Sequence, residues 1–151
     1  MQPWQQTFIA IYGLYSFVGF LLAYYKCKYK KLTHTKVPSY WLNGSFVWSD
    51  QVVFGAFWAL ISIATILLQD WVLFLLVTSL FWAVRSWGEA VYWFNQQFST
   101  VNRNPVKDYP TLKSIFHNDS FWWVFQIYWQ CLLVVSIILS LYFGKLWLGS
   151  L

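Results

Sequence analysis

The chain has 151 residues, 59% apolar and 10% charged, which excludes an ordinary soluble globular domain with about 25% charged side chains. Fourteen Phe, twelve Trp and ten Tyr supply the amphipathic rings that collect at bilayer interfaces, and disorder, collagen and disulfide-scaffold readings fall on the same numbers. The net charge of +5 does not point to nucleic acid as a partner, because the basic residues bracket apolar runs instead of lining a soluble module. That distribution fits cytoplasmic loops and anionic lipid headgroups.

About 20 mostly apolar residues are needed to cross a hydrocarbon core, and four segments meet or approach that length. The first runs over 7–25 without a charge, and since Met1–Thr7 has no basic region and no small-residue cleavage site follows, it reads as a retained span and not a removable signal. The second covers about 48–68, with Trp48 at the interface and Asp50 near the surface. The third, 71–98, contains Arg85 and Glu89, and the fourth, 121–143, is again uncharged. Only Gln69 and Asp70 separate the second and third, which predicts a tight antiparallel helical hairpin. The fold class read from this pattern is all-α: a polytopic integral membrane protein, one four-transmembrane-helix bundle forming a single membrane domain over 1–151.

The loops 26–45 and 99–120 hold eight of the ten Lys and Arg, so the positive-inside rule places both in the cytoplasm and both termini on the opposite side. Pro38 with Asn43-Gly44, and Pro105 with Pro110, break any helix in these loops, which leaves neither room for a domain. Asn43-Gly44-Ser45 and Asn118-Asp119-Ser120 match the glycosylation triplet, but on the cytoplasmic side they read as chance matches. Trp41, Trp48, Trp122, Trp123 and Trp147 are expected near interfaces as an aromatic belt, with Trp58, Trp82, Trp87, Trp93 and Trp129 deeper.

Charge inside a span costs roughly 2.5–3.5 kcal/mol for Arg on insertion scales, so Arg85 and Glu89 require a joint explanation. Four residues apart, they are spaced to pair on one helix face. At about 100° per residue, Thr78, Arg85, Glu89, Tyr92 and Gln96 form a polar stripe roughly 60° wide. Ser79, Ala83, Ser86 and Ala90 form a second face that lets another helix backbone approach, and Val77, Val84, Val91 and Trp87 are left for lipid. On the fourth span Gln126 and Gln130, one turn apart, offer partners to that stripe; Ser16 and Ser62 reach a similar depth. This polar layer reads in three ways: a structural lock of interhelical hydrogen bonds, a surface that docks onto charges of a larger membrane partner, or a candidate ligand or ion pathway made of Arg85, Glu89, Tyr92, Gln96, Gln126 and Gln130.

His34 and His117 stand one in each loop with no partner spacing for a metal, and no phosphate loop, dinucleotide fingerprint, zincin motif or nucleophile elbow occurs. No metal and no cofactor is expected. Cys27 and Cys131 are too few and too differently placed for a disulfide framework. Three functions compete: a protein that handles a small ion, polar solute or lipid-like ligand through the Arg85/Glu89 layer; an accessory subunit of a larger membrane complex; and a membrane enzyme acting on a lipid or quinone. The first is favoured, the enzyme is disfavoured for want of a nucleophile or metal constellation, and the expected partners are the bilayer and a homo-oligomer or a larger membrane-protein assembly.

Overall fold

A computed structural model describes residues 1–99, 101, 114–116 and 120–150. All of its regular structure is helical. The four long helices are α1 (Pro3–Lys30), α2 (Trp48–Leu67), α3 (Trp71–Phe98) and α4 (Ser120–Leu148), with a short 3-10 helix, Pro38–Asn43, between α1 and α2. Each long helix is long and apolar enough to cross a membrane. All four predicted segments are present, the first and the fourth longer than the apolar runs alone suggest. Arg103, Lys107, Lys113, Pro105, Pro110, His117, Asn118 and Asp119 lie outside the described residues.

The chain divides into two compact units, Met1–Val77 with Leu146–Leu151, and Thr78–Lys145. In the first, α1 and α2 run antiparallel. The pairing is read from close approaches in reversed order: Gln6 donates to Gln69 at one end, an added Cβ at Gly13 would meet Ser62, and one at Gly19 would meet Gln51. Small residues on the two helices, Gly13, Ser16, Gly19 and Ala23 facing Gly55, Ala59 and Ser62, allow this approach. At the other end the Lys26 ammonium sits 3.9 Å from the centroid of the Trp48 ring, so Trp48 is covered at 9% exposure and is not the open interfacial ring that its place in the sequence suggests.

The tight turn expected at Gln69–Asp70 is present. Gln69 takes a left-handed φ of 53°, and the Asp70 carboxylate caps α3 by accepting from the Leu73 N–H at 2.9 Å. Its other oxygen accepts from Trp147 Nε1 at 2.9 Å. The α2–α3 turn thus gathers the N-terminal end of α1 and the C-terminal end of α4 at one end of this unit. Trp71 and Phe74 carry the start of α3 onto α1, with rings edge-on to Trp4 and Phe8.

In the second unit, Trp93 of α3 stacks on Trp122 and Phe125 of α4 with centroids 5.8 and 4.3 Å away, and Gln97 donates to Gln126. The face of small residues is buried as expected, with Ser79 at 5%, Ser86 at 0% and Ala90 at 5% exposure. Val84, Trp87 and Val91 are exposed on the opposite side. Gly88 stands on that open side, where an added Cβ would meet no atom within 4 Å. Gly88→Ala should therefore stabilise the protein by about 0.5–1 kcal/mol through helix propensity alone, read as a small rise in apparent Tm.

Candidate functional site

Two polar arrangements stand out, one in each unit. Arg85 Nη2 lies 2.7 Å from Glu89 Oε1, one turn apart on α3, with the two side chains 17% and 14% exposed. The second carboxylate oxygen, Oε2, accepts from Trp93 Nε1 at 3.1 Å. Glu89 therefore has each oxygen engaged by a different donor, one charged and one neutral. Such a carboxylate is held in a fixed orientation on the face of α3.

The remaining predicted stripe is only partly brought together. Gln96 is buried at 6% exposure and Tyr92 is 43% exposed. The buried side of α3 centres on Ser79, Ser86, Ala90 and Trp93, and Tyr92 is the stripe residue turned farthest from it, toward Val84 and Val91. On α4 the covered face runs through Trp122, Trp129 and Ser136, set by the stacking of Trp122 and Phe125 on Trp93. Gln126 borders that face and reaches Gln97, the neighbour of the expected Gln96, whereas Gln130 is exposed.

The other arrangement was not foreseen. Asn43, at the end of the 3-10 helix, has no exposed surface. Its Oδ1 accepts from Ser16 Oγ at 3.2 Å and its Nδ2 donates to Gln51 Oε1 at 3.4 Å. The Asn43 side chain of the glycosylation triplet is thus turned inward and engaged at both ends of its amide. Three aromatic side chains address the carbonyls of the same segment: Tyr12 Oη donates to Leu42 O at 3.3 Å, Tyr15 Oη to Ser39 O, and Trp58 Nε1 to Asn43 O at 3.3 Å. Gly44, with φ 74°, turns the chain back, and Ser45 and Gln51 are wholly buried. Within the described residues Ser45 Oγ and Gln51 Nε2 have no hydrogen-bond partner. The sequence signal for this site was the Gly13, Ser16, Gly19, Ala23 series on α1, which makes room for a third element beside α2.

His34 is exposed. Cys27 is partly covered beside the Ala23, Val37, Tyr40 and Trp48 cluster, and Cys131 is exposed.

Among the described residues the fold is all-helical, with four helices each long and apolar enough to span a membrane, an ion pair on one helix and a buried amide–hydroxyl cluster beside another. Compared with protein-family models, curated proteins and solved structures, the chain matches none.

Proposed function

We propose that the protein is a multi-pass membrane protein that handles a small ion or polar solute at the level of Arg85 and Glu89, with Gln96 and Gln126 beside the pair and Tyr92 and Gln130 at the rim of the path. One observation carries this reading. The ion pair lies midway along a 28-residue apolar helix yet remains about one-sixth exposed, so it is reachable and not sealed in a core. Ionisable groups at that depth mark pathways more often than packing. The prediction is a flux experiment. In liposomes, wild-type protein should carry an ion or small solute down a gradient, and Glu89→Gln, which keeps an acceptor for Trp93 but removes the charge opposite Arg85, should reduce that flux at least tenfold. Equal flux in the two proteins would sink the reading.

In this proposal the loops 26–45 and 99–120 belong to the cytoplasmic side and both termini to the other. The charge bias supports it, as does the meeting of Gln6, the Gln69–Asp70 turn and Trp147 at one end of the first unit. With Cys27 and Cys131 replaced by Ser, Ser150→Cys should react with an impermeant thiol reagent in intact cells, and Lys31→Cys only after the membrane is opened. The reverse pattern overturns the orientation.

A second reading has one specific observation behind it. Only 6% of the most apolar window of α4 is buried, and Val134, Ile138 and Leu141 are more than half exposed. A helix this open is suited to contact a second copy or a larger membrane protein. Recovery in mild detergent at fixed stoichiometry with another membrane protein, with no flux alone, would favour an accessory subunit.

A further inference from the structure

The link between α1 and α2 is built inside out for a surface loop. Its outer side is apolar, with Trp41 58% and Leu42 47% exposed, while Asn43 and Ser45 on its inner side have no exposed surface. In water that arrangement wastes both burial and solvation. In hydrocarbon it is the favourable one.

Its depth is set by α1. Ser16, the partner of Asn43, stands ten residues from Gln6, which meets Gln69 at one polar end, and ten residues from Lys26, which covers Trp48 at the other. Each interval is about 15 Å at the helical rise. The turn therefore sits halfway between two polar ends about 30 Å apart, the thickness of a bilayer core. Irregular backbone at that depth must be satisfied by protein. Here it is: besides the bonds from Tyr12, Tyr15 and Trp58, the Gly44 N–H donates to Trp41 O at 2.9 Å and the Ser45 N–H to Tyr40 O at 3.3 Å. The neck of the excursion is tied by the Val37 N–H to Phe46 O at 2.8 Å.

We propose that Val37–Phe46 is a re-entrant turn that dips from the lysine-rich end of α1 to the middle of the membrane, its Trp41–Leu42 tip against lipid, and that Ser16, Asn43, Ser45 and Gln51 on its inner side hold a bound water. Ser45 Oγ and Gln51 Nε2 are buried without a hydrogen-bond partner among the described residues, and buried polar atoms of this kind are what an internal water satisfies. The carbonyls of Ser39, Tyr40, Trp41, Leu42 and Asn43 each already accept a hydrogen bond. Water both donates and accepts, and fits whichever way the two amides are turned.

This inference rests on α1 and α2 crossing the membrane, and its test separates the two claims. In protein lacking Cys27 and Cys131 and reconstituted in liposomes, nitroxide labels are placed singly at Leu42→Cys, at Leu60→Cys on the open face of α2, where exposure is 67%, and at Lys31→Cys. Collision with oxygen and with a water-soluble nickel chelate reports depth. The Leu42 label should match Leu60, with oxygen contact and loss of nickel contact, while Lys31 keeps nickel contact. Nickel contact at Leu42 but not Leu60 overturns the re-entrant turn and leaves the spans standing; nickel contact at both removes the spans and the turn together. For the water, glutamine labelled in both ¹³C and ¹⁵N together with ¹³C-aspartate selects Gln51 through the single Asp-Gln step in the sequence and carries the selection along its carbons to the side-chain amide. Magnetisation passing from water to the Gln51 side-chain amide within milliseconds in the solid-state spectrum is the expected result, and no transfer overturns the hydrated site.

Discussion

Gly19→Val should lower the apparent Tm by roughly 6–12 °C, the size of an overpacking penalty of about 3 kcal/mol in a chain of this length. A Cβ at position 19 would lie 2.5 Å from Tyr40 Cε1 and 2.9 Å from Cδ1, and closer still to the Gln51 amide. The Tyr40 ring cannot retreat, because Tyr15 and Trp48 stand against it with centroids 5.0 and 6.4 Å away. Relief has to come from moving the 3-10 segment off α1, which would break the Tyr12, Tyr15 and Trp58 bonds to its carbonyls as well. The matched comparison is Gly88→Ala, where no neighbour stands in the way. If the two variants unfold at the same temperature, the close approach of the segment to α1 is wrong.

The ion pair should show the second large effect. Arg85→Met and Glu89→Met each leave one charge without its counterpart and should cost about 3–5 kcal/mol, while the double variant should recover part of the loss. Glu89→Met also deprives Trp93 Nε1 of its acceptor, so it should be the worse single change. A steric-trap or denaturant-in-micelle unfolding assay of all four proteins gives the coupling. Additive losses would show that Arg85 and Glu89 do not depend on each other.

Apolar length alone marked out the four helices, and the shortness of Gln69–Asp70 marked out the tight turn between the second and third. The pairing of Arg85 with Glu89 followed from a spacing of four residues on one helix, which needs no knowledge of the tertiary structure. What could not be read was rotation. Tyr92 and Gln130 belong to polar stripes when each helix is viewed alone, but the stacking of Trp93 on Trp122 and Phe125 decides which arc of each helix is covered, and a long-range ring contact leaves no periodic trace. The 3-10 segment was missed for another reason. Pro38 and Asn43-Gly44 are turn residues by local chemistry and do form a turn, but nothing local says whether a turn faces water or packs between helices. Only the small residues on α1, opposite a loop that carries Tyr40, Trp41 and Leu42, hinted at a third element.

The ion pair on α3 is closed within one helix, across a single turn and 2.7 Å, and Glu89 finds its second donor, Trp93, on that same helix. No other helix has to arrive before the charges cancel. A span delivered to the membrane by itself would present the insertion machinery with a neutral, internally bonded patch in place of two separate ions, which lowers the barrier that a lone arginine at mid-helix would raise. Were α3 to enter lipid before α4, it would do so with its ion pair already closed.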